Sequence, residues 1–85
     1  MHVEYRTALV KLRAFVRGNV TMQAEDIVRT AIGATCQIAD ARFRTELGSR
    51  LACRLIAFGM TPPQSRHGAG RGVEAVLDEV ERLSR

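Results

Sequence analysis

Apolar residues recur at helical spacing near both ends of this chain. Near the start they occupy offsets 0, 3, 4, 7, 10 and 11 of one helix face: Tyr5, Ala8, Leu9, Leu12, Phe15 and Val16. The last segment follows the same template with Val73, Val76, Leu77, Val80 and Leu83. No run of β-branched residues alternates with polar ones, so no strand is predicted. The chain is therefore expected to be all-α, a compact bundle of three to four helices.

Glycine residues predict where the first two helices end. Gly18 and Asn19 tolerate the left-handed conformation that closes many helices, so the first helix is expected to stop there. Thr21 is the candidate N-cap of a second helix over 21–32. Gly33 either ends or kinks this helix, and the sequence leaves open whether the second and third helices are continuous through it.

The third helix is predicted over 36–58 and has two faces that can both be packed. Large apolar residues dominate one arc: Ala39, Phe43, Leu47, Leu51, Leu55 and Phe58. The opposite side consists mostly of small residues: Ala41, Thr45, Gly48, Ser49, Ala52 and Ile56. Because small side chains let another backbone approach closely, a neighbour is expected on this side too. The sequence leaves open whether that neighbour is a helix of the same chain or a second copy.

Residues 59–72 read GMTPPQSRHGAGRG and separate the third helix from the last one. Their proline and glycine content predicts a flexible loop. A glycine-rich segment before a helix can also hold a phosphate, but no strand precedes this one and no Gly-Lys-Ser/Thr ending follows it. A mobile connector between two helices is therefore predicted.

The length of 85 residues supports a single domain, 1–85, with one core. Hydrophobic residues make up 46% of the chain, which is typical of a globular domain and excludes a wholly disordered one. No apolar run approaches the roughly 18 residues that would span a membrane. The first residues also lack the apolar stretch and cleavage site of a signal peptide. We therefore expect no membrane association and a cytoplasmic location.

Basic residues outnumber acidic ones by 13 to 9, which gives a net charge of +4. Segments 1–18 and 41–60 are net basic, whereas 19–40 and the tail from Val73 are net acidic. This alternation predicts that basic helices pack beside acidic ones within one bundle. The overall excess favours an acidic partner without requiring nucleic acid.

The sequence contains no clear metal-binding or catalytic pattern. Cys36 and Cys53 lie 17 positions apart, without the close pairing typical of a zinc site. His2 and His67 are distant from both cysteines. Buried, reduced thiols are expected, with a disulfide or a metal site as the alternative. Because no nucleophile and base are suitably paired, we predict that the chain is not an enzyme and uses no metal or cofactor.

Arg54 falls within the apolar arc of the third helix. An arginine is seldom buried without a partner, so we expect it to extend to solvent or to pair with an acid of another helix, such as Asp26 or Asp78. The functional alternative is contact with a binding partner, since arginine is frequent among interface hot spots.

A protein-binding function agrees best with these features. No catalytic pattern is present, and apolar residues fall outside the main stripes at Val10, Ile32 and Ile56. The candidate partner-binding residues are Arg13, Arg17, Arg50, Arg54 and Ile56. Candidate contacts with a phosphate or an acidic surface are Arg66, His67 and Arg71. We expect the partner to be a larger regulatory protein, with a transcriptional activator as the candidate; the two faces of the third helix also allow a homodimer.

The alternative function is that of a small basic, DNA-associated transcriptional regulator. Arg42, Arg44, Arg50 and the predicted loop would then contact phosphates. A helix-turn-helix with its turn at Gly33 is disfavoured, because the position four residues earlier is usually small and holds Arg29 here.

In size and all-helical layout the chain resembles the small antiactivators that hold LuxR-type quorum-sensing activators inactive in conjugative plasmids and symbiosis islands. Its composition, rich in arginine and alanine, also suits a GC-rich bacterium of the kind that carries them. The resemblance covers the overall layout and no motif, so it assigns no role to a particular residue. It implies a cytoplasmic bacterial protein that binds and sequesters a transcriptional activator.

Overall fold

Four α-helices account for most of residues 2–85, the part of the chain that the computed structural model describes; side chains are described from Glu4 onward. The helices are α1 (His2–Val16), α2 (Ala24–Thr35), α3 (Ala41–Met60) and α4 (Arg66–Leu83), with a short 3-10 turn at Pro63–Ser65. No strand occurs in this range. The predicted all-α compact bundle is confirmed, with the four-helix alternative realised.

Consecutive helices contact each other, and α4 also contacts α1. The short connections between the helices are typical of antiparallel neighbours in a four-helix bundle. Two glycines lie at contacts between helices. Gly48 of α3 lies against Thr35 at the end of α2, and Gly70 near the start of α4 lies against Phe58 of α3 and Val16 of α1. The seam between α1 and α4 is therefore on the opposite side of the bundle from the seam between α2 and α3.

The end of α1 agrees with the prediction from glycine. Gly18 has a φ of +83°, a conformation that residues with a side chain rarely adopt. The Asn19 amide donates to the Ala14 carbonyl at 2.8 Å, and the Gly18 amide donates to the Phe15 carbonyl at 3.1 Å. These bonds satisfy carbonyls at the helix end and turn the chain toward α2.

The predicted boundary between the second and third helices was wrong. Helix α2 continues through Gly33 to Thr35, with Gln23 rather than Thr21 at its N-cap position. Gly33 lies within the helix on the side of α1, where a Cβ would be in ordinary contact with Ala8 at 3.7 Å.

Helix α3 begins at Ala41, five residues later than the sequence predicted. Asp40 is its N-cap, and one carboxylate oxygen accepts hydrogen bonds from the amides of Arg42 (2.9 Å) and Phe43 (3.1 Å). The chain before it is not helical, although Ile38 is buried there. Helix α3 therefore begins directly after Asp40, because these hydrogen bonds satisfy amides of its first turn.

The predicted flexible loop over 59–72 is not a loop. Helix α3 extends to Met60 and α4 already begins at Arg66. The Arg66 side chain donates to the carbonyls of Thr61 (2.8 Å) and Gly59 (3.1 Å) and lies over the Phe58 ring, 5.0 Å from its centre. This arginine satisfies carbonyls around the end of α3 and fixes a tight corner. The glycines that follow are part of α4, and Gly70 lies at the contact with Phe58 and Val16.

The core lies along the bundle axis and is mainly aliphatic. Its fully buried side chains include Leu12, Leu51, Leu55, Val73, Leu77 and Val80. Phe15 and Phe58 pack edge to face with ring centres 5.5 Å apart. Phe43, placed by the sequence in the buried arc, is 51% exposed, because it lies in the first turn of α3 at the side of the bundle, in a groove shared with Leu83.

None of the helices in the described range combines the length and the hydrophobicity needed to cross a bilayer.

Candidate protein-binding site

The seam between α1 and α4 carries an intramolecular charge cluster beside a concave surface of about 770 Å³ that includes Leu9 and Val10. The Arg13 guanidinium donates to Glu74 (2.9 Å), Asp78 (3.0 Å) and Glu81 (2.8 Å), which form one row on α4. The Arg13 side chain is only 21% exposed, and Arg17 adds a longer contact of 3.6 Å to Glu74. The predicted packing of a basic helix against an acidic one occurs here, and Arg13, a candidate for partner binding, is engaged within the chain.

The cluster also determines the protonation of Arg13. Partial burial alone would lower the pKa of its guanidinium, but the hydrogen bonds to Asp78 and Glu81 and the charge of Glu74 outweigh that cost, so the pKa lies above its ordinary value. The raised pKa means that the stabilisation from this cation is fully present below the pKa of an unfolded arginine. Arg13 therefore stays charged at every ordinary pH.

The other candidate arginines lie on different sides of the bundle. Arg17 is exposed beside the α1/α4 seam. Arg50 pairs with Glu46 on its own helix at 3.1 Å. Arg54 is exposed on the α4 side of α3, where its Nη1 atom lies 3.4 Å from the position that a Cβ of Gly72 would occupy.

The ion pair that the sequence suggested for Arg54 is not formed. Asp26 pairs with Arg29 (3.7 Å) and Asp78 pairs with Arg13 (3.0 Å). Arg54 instead reaches solvent across α4, which was the other structural interpretation of its sequence position.

The residues proposed to contact phosphates are placed on a helix and not on a loop. Arg66 is committed to the carbonyls at the end of α3, as described above. His67 and Arg71 are exposed near the start of α4. The structure therefore gives Arg66 a structural role and leaves His67 and Arg71 as the exposed residues of the three candidates.

An apolar groove runs along the seam between α2 and α3. We call it the α2/α3 groove; it encloses about 670 Å³. Its principal lining residues are Val28, Ile32, Cys36, Gly48, Cys53 and Ile56. Val28 is 41% exposed and Ile32 is 63% exposed, and Arg44 is the one charged residue among the described side chains that line the groove. Two large aliphatic side chains thus remain in contact with water inside a concave apolar surface.

The small residues of α3 explain the shape of this groove. A Cβ at Gly48 would lie 3.3 Å from the hydroxyl oxygen of Thr35, so the two helices approach closely at that level. The Thr35 hydroxyl donates to the Ala31 carbonyl at 3.1 Å, and its polar atom is therefore satisfied. The neighbour predicted for this side of α3 is α2, which approaches closely at the level of Gly48 and Thr35. Toward Ile56, the small residues of α3 leave an open groove.

Both cysteines line the α2/α3 groove, and both are free and exposed. The prediction of buried thiols was wrong. Cys36 follows the last residue of α2 on its outer side, and Cys53 lies on the outer side of α3. The groove therefore carries two accessible thiols that can report on whether it is occupied.

The predicted partner-binding residues do not form one surface. Ile56 lies in the α2/α3 groove, whereas Arg13 and Arg17 lie on the opposite side of the bundle and Arg50 lies between α3 and α4. From the sequence, no role was assigned to Val28, and one wall of the groove was therefore missed. A signal was present, since Val28 and Ile32 are four residues apart and share a helix face.

No protein family model matches this chain, and neither the curated proteins nor the solved structures include a significant match.

Proposed function

We propose that this protein is a non-enzymatic regulatory protein that binds another protein through the α2/α3 groove. The observation that carries the proposal is the exposure of Val28 and Ile32 beside the half-buried Ile56 in one concave surface. When a partner covers apolar area that was in contact with water, the burial of that area favours binding. The volume of about 670 Å³ can accept several side chains of a partner.

The partner that we propose is a larger bacterial transcriptional activator, held inactive in the cytoplasm as the antiactivators hold theirs. The small size and the all-helical layout support this choice. A bundle of 85 residues with an apolar docking groove is suited to covering a surface that its target needs for activity. Sequestration then requires affinity and no chemical step by the small protein itself.

The groove supports protein binding better than the arginine-bearing faces do. The Arg13 guanidinium is engaged by three carboxylates of α4, and Arg50 is engaged by Glu46. Such pairs would have to exchange partners before they could contribute to binding, and each exchange returns little net energy. The groove offers apolar surface that is already uncovered.

DNA association is the second candidate function. The net charge of +4 and the exposure of Arg42 and Arg71 favour it. These two residues lie on α3 and α4 in different parts of the bundle. One duplex could therefore contact few of the basic side chains at the same time. Binding of this kind should weaken steeply as salt is added.

Capture of a partner from a bacterial lysate tests the proposed function. Wild-type protein is compared with Ile32→Asp in the groove and with Val10→Asp on α1, where Val10 is 69% exposed and gives an equally mild substitution elsewhere. We expect a protein that is retained by wild type and Val10→Asp and lost with Ile32→Asp.

Two outcomes would contradict the proposal. One is retention of the same proteins by all three variants. The other is tight, salt-sensitive binding to duplex DNA that Arg42→Glu with Arg71→Glu abolishes while Ile32→Asp leaves it intact.

A further inference from the structure

The α2/α3 groove has a positive end. Arg42 and Arg44 both lie in the first turn of α3, where the helix dipole adds partial positive charge. The Arg44 side chain lines the groove and donates to the Ile38 carbonyl at 2.9 Å, which holds its charge in place. Asp40 is the acid at this end, and its carboxylate is bound to two amides of α3. The start of α3 thus carries Arg44 in the groove lining and the exposed Arg42 in the same turn, with one carboxylate that is already engaged.

The opposite end of the groove lacks this excess. Glu25 is exposed in the first turn of α2, and Arg29 lies one turn further along and pairs with Asp26 at 3.7 Å. Positive charge is thus concentrated where α3 begins, next to apolar surface formed by Ile32. A partner that fills this groove favourably must combine an apolar face with acidic groups beside it.

We propose that the occupant is an amphipathic helix of the partner whose flanks are acidic. This inference rests on the proposed function and specifies the kind of partner segment. Helix α3 spans about 30 Å and α2 about 18 Å at 1.5 Å per residue. The length of the groove therefore matches about three to four turns of a helix contributed by the partner. Apolar residues at positions i, i+3 or i+4, and i+7 of that helix would enter the groove.

The shape of the groove determines where the anchors go. Its floor is low over Gly48 and Ala52, which leaves room for a large aliphatic or aromatic side chain of the partner. Val28 and Ile32 form the raised wall on the α2 side, and Ile56 continues the apolar surface toward the other end. Acidic residues of the bound helix would lie toward Arg42, so the partner would also make contacts outside the α2/α3 groove.

A second copy of this chain fits the groove less well. Each copy carries a net charge of +4, and pairing two identical faces brings these like charges together. The acid that a second copy could offer to the start of α3 is the exposed Glu25, because Asp26 is already paired with Arg29. A helix with several acidic flanking residues offers more negative charge, so the charge distribution favours a different partner.

The experiment uses two synthetic peptides of about 18 residues that share one leucine face and differ in their flanks, Glu in one and Lys in the other. The native thiols provide the measurement, because Cys36 and Cys53 line the groove. We expect the Glu peptide to slow alkylation of both thiols by about fivefold or more at saturation. The Lys peptide should need a concentration about tenfold higher for the same protection, and added salt should reduce this difference.

Matched variants separate the groove from the rest of the surface. Ile32→Asp should remove the protection of Cys53, and Val10→Asp should keep it. Arg42→Glu should weaken the Glu peptide by about tenfold, whereas Arg71→Glu on α4 should change its affinity by less than about twofold. Unchanged far-UV circular dichroism of each variant shows that the bundle remains folded.

Three results would overturn the inference. Equal or better protection by the Lys peptide would show that the groove binds a helix without a preference for acid, and the proposed function would stand. Protection that rises with the concentration of the protein alone would assign the groove to a second copy. Protection by neither peptide at about 1 mM would show that no amphipathic helix docks there; the lysate capture then decides the proposed function independently.

Discussion

The two opposite seams of this bundle are built from different residues and end in different states. Between α1 and α4, Arg13 joins three carboxylates of α4, and Val10 is exposed beside this charge cluster. Between α2 and α3 the helices meet through the small residue Gly48 and leave Val28 and Ile32 exposed. The first seam is dominated by charges that are engaged within the chain, and the second by apolar side chains in contact with water.

This difference separates stability from binding. A seam closed by reciprocal ion pairs holds two helices together and presents a polar surface to solvent, so it offers a partner little free energy. A seam with exposed aliphatic residues contributes less to the fold and more to any complex that covers it. Equivalent substitutions at sites that differ in burial, pairing or backbone conformation should therefore have different effects.

The largest expected contrast is between a buried and an exposed aliphatic residue. Leu55→Ala removes a fully buried side chain of α3 and should lower the free energy of unfolding by about 2–5 kcal/mol, because it leaves a cavity in the core. Ile32→Ala removes a side chain that is 63% exposed in the groove and should cost less than about 1 kcal/mol. Urea titration of both variants measures the difference, and equal losses would show that Ile32 belongs to the core.

The next contrast is between two arginines that both form ion pairs. Arg13→Met keeps the aliphatic stem but removes the cation that holds three acids, and should cost about 1–2 kcal/mol. Arg50→Met breaks one exposed pair with Glu46 and should cost less than about 0.5 kcal/mol. Thermal unfolding at low and high salt provides the measurement. A loss at Arg13 as small as that at Arg50 would show that the charge cluster does not hold the α1/α4 seam.

The smallest effect concerns two glycines. Gly68 is helical in the first turns of α4, and a Cβ there meets nothing within 4 Å, so Gly68→Ala should stabilise the protein by about 0.5–1 kcal/mol. Gly18→Ala is the control and should destabilise it by about 1 kcal/mol, because its φ is +83°. Chemical denaturation distinguishes the two signs. No gain at Gly68 would indicate that this segment is not helical in solution.

The sequence predicted the fold class, the end of α1 and the buried leucines of α3 because periodicity and a left-handed glycine are local signals. It mistook the start of α4 for a loop, since the carbonyl contacts of Arg66 and the packing of Gly70 against Phe58 depend on another helix. For the same reason it missed the engagement of Arg13, whose partners are more than 60 residues away along the chain. Exposure of a residue depends on all of its neighbours, and a helical wheel includes only those on its own helix.

The affinity of variants for the captured partner tests the central claim most directly. Calorimetric titration would compare wild type with Val28→Asp in the α2/α3 groove and Arg17→Glu beside the α1/α4 seam. We expect Val28→Asp to raise Kd by about a hundredfold, because a buried, unpaired carboxylate would face the apolar anchors of the partner. Arg17→Glu should change Kd by less than about threefold. A hundredfold loss with Arg17→Glu and no loss with Val28→Asp would move the binding surface to the opposite side of the bundle and contradict the account.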